Sequence, residues 1–357
     1  IVVVMAPPIR RIALSTGGGD APGLNAVIRA ATLAAINRGW EVVGIRDGFN
    51  GLFLPELYPD GGLISLTRER VRGIVHQGGT TIGTTNRGNP TAYPVQQPDG
   101  SWIEIDRTPE MLALFAQHGI DALITIGGDG SLTIGHHLSE AGLRVIGVPK
   151  TIDNDLEATQ STFGFDSAVA CATDALDRLH TTAASHNRVM VLEVMGRYAG
   201  WIAAHAGIAG GGDILLIPEI PYTYEAICKK IAEREAMGRL FTLVVVAEGA
   251  HPKGGAFVTH GEQAKDREAR LGGVGEQVAE EIAKRTGKET RTVVLGHRQR
   301  GGGPTCADRL LCTRFGAAAV KLIQEEKYGR MVALRGNDTI SVPIPEAIGR
   351  LRTVPPN

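Results

Sequence analysis

The chain has 357 residues, 43% hydrophobic and 21% charged, with a net charge of −1. That is room for a large core, more readily two lobes than one, and it gives no electrostatic reason to expect nucleic acid or an anionic membrane. No run approaches 18 apolar residues, the apolar start at 1–5 is too short for a signal segment, and the four cysteines form no CxxC pair; a cytoplasmic protein with reduced thiols is expected.

Short β-branched runs alternate with helical patterns along the chain. Strands are predicted at 11–14, 41–45, 122–126, 145–148, 189–194, 214–217, 243–247 and 292–295. Helices are predicted at 24–37, 109–118, 132–141, 168–183, 224–237, 276–285 and 307–326, from apolar residues three to four apart such as Ile227 and Ile231. This alternation predicts an α/β protein of parallel sheets with helices on both faces. Residues 84–107 read as an insertion or a β-hairpin turning at Asp99-Gly100, and 251–275 as a long surface loop. The sequence opens with Ile, which leaves the true start open.

Glycines gather where strands end, the usual place for ligands in such folds. STGGGDAPGLN (15–25) runs from the first strand into the first helix, where bare backbone N–H groups meet an anion. It is neither a dinucleotide fingerprint nor a Walker loop, and a tight turn without ligand is the alternative. GGDGS (127–131) repeats the arrangement with an acid: Asp129 either holds Mg²⁺ against phosphate oxygens or caps a helix starting near Ser131. Two such loops favour phosphate binding. In PKTIDNDL (149–156), Asp153 and Asp155 stand at i and i+2 and, if the segment is extended, point to one side. In a dehydrated cleft such a carboxylate takes a proton from an attacking hydroxyl; in solvent the pair is an acidic turn.

These motifs, with FGFD (163–166), EVMGRYAG (193–200), AEG (247–249) and LGHRQRGG (295–302), resemble the 6-phosphofructokinase family in order and spacing over roughly residues 11–335. The resemblance implies two similar three-layer α/β/α lobes with mainly parallel sheets and the active site in the cleft between them. A donor lobe would span 1–164 plus 308–357, and a sugar-phosphate lobe 165–307. It also implies transfer of the ATP γ-phosphate to the 1-hydroxyl of fructose 6-phosphate. Asp153 is then the base, with Thr151 and Asp155 flanking the hydroxyl. Asp129 holds Mg²⁺, and Gly19, Gly88, Gly128, Gly130 and Ser131 line the nucleotide phosphates. Met195, Gly196 and Arg197 hold the sugar, with Arg197 stabilising the transferring group. Glu248 binds a sugar hydroxyl, and Arg188, Arg300 and Arg309 clamp the 6-phosphate. The Arg188 position serves a neighbouring subunit in the family, which implies a homo-oligomer, usually a tetramer.

The chain departs from the family in several places. Gly130 goes with ATP in the family, whereas lysine at the Lys150 position goes with pyrophosphate; Gly130 is weighted more heavily, because an acid there would obstruct ATP directly. The nucleotide-contacting arginine aligns with Asn86 or, shifted by one, with Arg87, and Arg87 is favoured for its charge. Phe49 replaces a nucleotide-stacking tyrosine. Arg29 and Arg68 match effector-binding arginines, but Leu33, His180 and Met237 replace basic residues, so regulation by ADP and phosphoenolpyruvate is expected to be weak or altered. The alternatives are a pyrophosphate-dependent enzyme, a NAD or lipid kinase, and a subunit that binds nucleotide without catalysis.

Overall fold

A computed structural model describes residues 8–260 and 270–356. The opening at 1–5 and the middle of the expected loop at 251–275 lie outside them. In chain order come β1 (Arg11–Thr16), α1 (Leu24–Ile36), β2 (Glu41–Ile45), α2 (Asn50–Phe53), β3 (Leu63–Ser65), β4 (Tyr93–Gln96), β5 (Trp102–Ile105) and α3 (Thr108–Gln117). Next are β6 (Ala122–Gly127), α4 (Asp129–Glu140), β7 (Val145–Pro149), α5 (Phe165–His186), β8 (Val189–Val194), α6 (Trp201–Ala209) and β9 (Ile214–Leu216). Then follow α7 (Tyr224–Ala236), β10 (Thr242–Ala247), β11 (Thr259–His260), β12 (Arg270–Leu271), α8 (Val274–Thr286) and β13 (Thr290–Val294). The chain closes with α9 (Cys306–Gln324), β14 (Arg330–Arg335), β15 (Asp338–Pro343) and α10 (Ile344–Ile348).

Two compact units emerge, one made of 1–151, 156–164 and 302–350, the other of 152–155, 165–301 and 351–357. The first is built on a sheet of order β15-β14-β7-β6-β1-β2-β3, parallel except at β3 and β15. Alternation along β1 sorts its faces. Ile12 and Leu14 pack with Val27 and Ile28 of α1 and Phe315 of α9, while Ala13 joins Met111 and Phe115 of α3 and Leu138 of α4. Such a sheet is apolar on both sides, and β6 and β7 are accordingly buried at every residue.

The second unit has a parallel sheet of order β13-β8-β10-β9. Val189, Val191, Val244 and Val246 pack against Ile227 and Ile231 of α7 and Val278 and Ile282 of α8. The helices α5 and α6 pack on each other and on the sheet. Thr223 and Thr305 cap α7 and α9, their hydroxyls accepting from the N–H groups of Ala226 and Asp308.

The hairpin reading of 84–107 holds: β4 and β5 pair antiparallel, and Gly100 turns at φ 83°. Several elements were not expected, β3 and α10 among them. The α6 segment, WIAAHAGIA, is apolar nearly all round and shows no period. The β14–β15 hairpin turns at Gly336 (φ 58°), and α2 is a single turn. Within the expected loop at 251–275, β11 and β12 form a short ladder.

Candidate active site

In the first unit β1 lies beside β6 and β6 beside β7, so the loops after these strands are neighbours although far apart in sequence. The N–H of Gly17 donates to the Ile126 carbonyl (3.1 Å), and that of Lys150 to the Gly127 carbonyl (2.9 Å). Ser131 is wedged at the junction. A Cβ on Gly127 would stand 2.2 Å from Ser131 Cβ, and one on Gly17 would stand 2.4 Å from Ser131 Oγ. Gly127 is therefore required by close approach, while a side chain at Gly17 would force the Ser131 hydroxyl into another rotamer.

Helix α4 begins at Asp129 with Gly128 as an extended N-cap and no side-chain cap bond. Asp129 is thus an exposed first-turn acid rather than the cap, and the helix starts three residues before the predicted 132. The first N–H groups of such a helix lack intrahelical acceptors and favour an anion. A Cβ on Gly130 would meet nothing within 4 Å, and one on Gly128 would lie 3.3 Å from the Lys150 carbonyl.

The loop carrying Arg87 and Gly88 is stitched to the first glycine loop. Thr84 Oγ1 donates to the Gly18 carbonyl (2.7 Å), and the Gly18 N–H donates to the Thr85 carbonyl (2.9 Å). Arg87 itself is exposed. Gly19 is exposed at the loop tip, and its carbonyl accepts the ammonium of Lys150, a side chain only 4% exposed. Phe49 is only 7% exposed and belongs to the core, so it offers no open face for stacking.

After β7, Thr151 is fixed by Thr162, whose Oγ1 donates to the Thr151 carbonyl (2.7 Å). Asp153 and Asp155 follow within two and four residues, but the segment is not extended. It turns through Asn154, whose φ of 53° is left-handed, so the same-side argument from strand geometry does not apply. Asn154 is buried.

In the second unit the ends of β8 and β10 carry Met195–Arg197 and Glu248. The Glu248 N–H donates to the Val194 carbonyl (2.8 Å) and the Gly249 N–H to the Gly196 carbonyl (3.0 Å). Gly249 permits this, since a Cβ there would lie 1.9 Å from the Arg197 carbonyl oxygen. Gly196 needs φ 138°, which glycine tolerates. Met195 is buried. Burial pushes the Glu248 carboxyl above its ordinary range, opposed by a bond from the Gly196 backbone and the positive charges of Arg197 and Arg300. Arg197 and Arg300 thus lie near enough for their charges to act on Glu248.

Arg188 is tied within its own chain: its Nε lies 2.7 Å from Glu289 Oε2, and this contact holds the Glu289 carboxyl below its ordinary range. Arg309 belongs to the first unit, in the first turn of α9, with Nε donating to the Pro304 carbonyl (2.8 Å). Among the described residues no three His, Cys, Asp or Glu side chains gather as a metal cage, and no helix is long and apolar enough to cross a membrane.

Two contributors to the loops went unassigned in the sequence. Asn25 is 2% exposed, accepting from the Thr81 N–H (2.8 Å) and donating to the Gly78 carbonyl (3.1 Å). A polar residue in the first turn of a largely apolar helix was the available signal. The bond from Thr84 to Gly18 had none, because threonine in a glycine-rich loop is unexceptional.

A family description of phosphofructokinases matches residues 11–323. The chain is 52% identical over 353 residues to the ATP-dependent 6-phosphofructokinase of Chloroflexus aggregans, covering 99% of this chain and 95% of that one. It is 49% identical over 348 residues to the pyrophosphate–fructose 6-phosphate 1-phosphotransferase of Amycolatopsis methanolica, covering 97% and 96%. Among solved structures, Pichia pastoris phosphofructokinase in the T-state superposes with a TM-score of 0.81 at 32% identity. That alignment covers 96% of this chain and 36% of the other, so the chain spans about a third of that relative's length.

Proposed function

The chain belongs to the phosphofructokinase family, and from that membership we propose that it transfers the γ-phosphate of ATP to the 1-hydroxyl of fructose 6-phosphate, forming fructose 1,6-bisphosphate and ADP, the committed step of glycolysis. Asp153 takes the proton of the 1-hydroxyl as its oxygen bonds to the γ-phosphorus and the bond to the ADP oxygen breaks. Thr151 and Asp155 flank that hydroxyl. Phosphoryl transfer depends mainly on positioning and charge stabilisation. The loops of Gly19, Arg87, Gly88 and Gly128–Ser131 serve the donor. Met195, Gly196, Arg197 and Glu248 serve the sugar, and Arg188, Arg300 and Arg309 its 6-phosphate, with Arg188 contributed by a second copy in a homo-oligomer, most simply a tetramer.

The single observation that carries the donor is Gly130: the start of α4 is open there, with nothing within 4 Å of a Cβ. The site also fits Mg²⁺, which keeps several waters and is held by one or two carboxylates plus substrate phosphates rather than by a protein cage. Asp129 is the one exposed acid in the first turn of α4 and supplies that carboxylate. When bound, the ion offsets negative charge on the donor oxygens. Partial loss of the basic effector residues supports weak regulation by ADP and phosphoenolpyruvate.

A second reading, pyrophosphate as donor, is favoured by one feature: the buried ammonium of Lys150 beside Gly18 and Gly19. Initial rates on fructose 6-phosphate with Mg²⁺ and either donor decide between the two. Turnover with ATP supports the first reading; turnover with pyrophosphate alone overturns its donor half. Replacing Asp153 by Ser is expected to lower kcat by on the order of 10²- to 10⁴-fold with nucleotide binding retained.

A further inference from the structure

Residues 351–354 form a strap across two turns of the second unit. The Arg352 N–H donates to the Asp155 carbonyl (2.9 Å), and its guanidinium to the Asn154 carbonyl (3.2 Å). The same guanidinium lies over Trp201, 4.4 Å from the ring centroid, and the indole N–H of Trp201 returns a bond to the Arg352 carbonyl (2.9 Å). Two residues on, the Val354 N–H donates to Glu219 (2.8 Å). That carboxylate also accepts the Gly200 N–H (3.0 and 3.1 Å) at the start of α6.

The two turns joined in this way are the two that matter for chemistry. One is Asp153-Asn154-Asp155; the other begins α6, three residues after Arg197. Asn enters the left-handed region more readily than other non-glycine residues, but Asn154 is also buried, and its turn is held from outside. Here the holding group is visible, since Arg352 takes both consecutive carbonyls, of Asn154 and of Asp155. The guanidinium makes the Asn154 contact and also stacks on the Trp201 face, while the Asp155 contact comes from the backbone N–H and survives side-chain replacement. Misplacing a reacting group by about 1 Å costs on the order of 10²-fold in rate even when the change is remote from the chemistry.

We propose that Arg352 is a positioning residue for phosphoryl transfer: through the Asn154 and Asp155 carbonyls it sets the direction of the Asp153 and Asp155 side chains without touching substrate. The inference rests on the reading of Asp153 as the base. Steady-state kinetics of Arg352→Met, Arg352→Lys, Trp201→Phe and Asp153→Ser test it, with folding followed by circular dichroism.

Arg352→Met is expected to lower kcat roughly 10- to 100-fold while the KM for ATP changes less than about twofold. Arg352→Lys regains only part of the rate, because an ammonium on a similar stem reaches the Asn154 carbonyl but lacks the plane that stacks on Trp201. If Arg352→Met turns over like the parent while Asp153→Ser is dead, the strap proposal is wrong and the base assignment stands. If Asp153→Ser keeps its rate, the base assignment itself falls. A drop in kcat accompanied by a matching rise in both KM values and loss of folded protein indicates a merely structural role, and overturns the proposal. Where Arg352→Met does not fold, Trp201→Phe carries the test, since it removes the indole N–H that bonds the Arg352 carbonyl and leaves a smaller aromatic face for the guanidinium. A kcat lowered about threefold or more at constant KM for ATP, as one hydrogen bond allows, supports the strap, and an unchanged kcat overturns it.

Discussion

The ammonium of Lys150 donates to the carbonyl of Gly19, so a side chain from the end of β7 holds the tip of the loop after β1. A hydrogen bond from a charged group contributes about 1.5–3 kcal/mol. Lys150→Met, which keeps the stem and removes the donor, is expected to raise the KM for ATP roughly tenfold or more and to change kcat little. Initial rates at varied ATP check this, and an unchanged KM would mean that the ammonium does not shape the donor loop.

At Gly130 the expectation is a loss of donor binding without loss of fold. An aspartate there enters open space at a helix start, where an acid is tolerated or mildly favourable. On the proposed assignment its charge would stand beside the donor phosphates, and like charges at about 4 Å repel by up to about 4 kcal/mol in a partly screened site. Gly130→Asp should therefore lower kcat/KM for ATP by at least about tenfold. Its thermal midpoint should stay within about 2 °C of the parent, the shift of a surface change worth under about 0.5 kcal/mol.

The wedge of Ser131 gives a stability test that needs no substrate. Gly127→Ala drives a methyl group to 2.2 Å from Ser131 Cβ, which no rotamer relieves. Overpacking of this kind costs about 1–3 kcal/mol. Removing the opposing side chain in Gly127→Ala with Ser131→Gly is expected to return a large part of it. Denaturant midpoints of the two single variants and the pair give the coupling; strict additivity would show that the two residues do not collide.

Glu248 links stability to pH. Its carboxyl is raised in the folded state by burial, so folded protein binds this proton more tightly than unfolded protein. Its contribution to stability is present at low pH and is lost as pH rises through the folded value. Glu248→Gln removes that loss. The variant should gain stability relative to the parent as pH rises from about 4.5, while its KM for fructose 6-phosphate increases. Unfolding curves across pH 4 to 8 check the first point, and a stability difference independent of pH would contradict it.

Much of the α/β frame was legible because parallel strands are short and β-branched, as 41–45 and 189–194 are. Helix starts were less legible. Gly128, Asp129 and Gly130 read as loop, because glycine has poor helix propensity, yet the chain is already helical at Asp129, with Ser131 of that first turn packed against Gly17 and Gly127. Likewise α6 lacks polar positions that would reveal a period, and Gly207 lies there because a Cβ would stand 2.1 Å from Leu215. The glycine loops and acids announced themselves by motif. The supports did not: nothing in LRTVP marks Arg352 as bound to residues some two hundred positions earlier, and nothing near Phe49 says that its ring turns into the core.

The strand order of the first unit has a consequence for synthesis. β7 is complete at Pro149, but its outer neighbour β14 begins only at Arg330, and most of the second unit is encoded between them. At ordinary translation rates the interval is roughly ten to forty seconds. Throughout it, a chain emerging from the ribosome carries a hydrophobic strand with one bare edge, the kind that recruits other strands. The glycine loops can form early, but the nascent first unit waits unsealed for its last two strands. Chaperone dependence is therefore expected to concentrate in that window rather than after release.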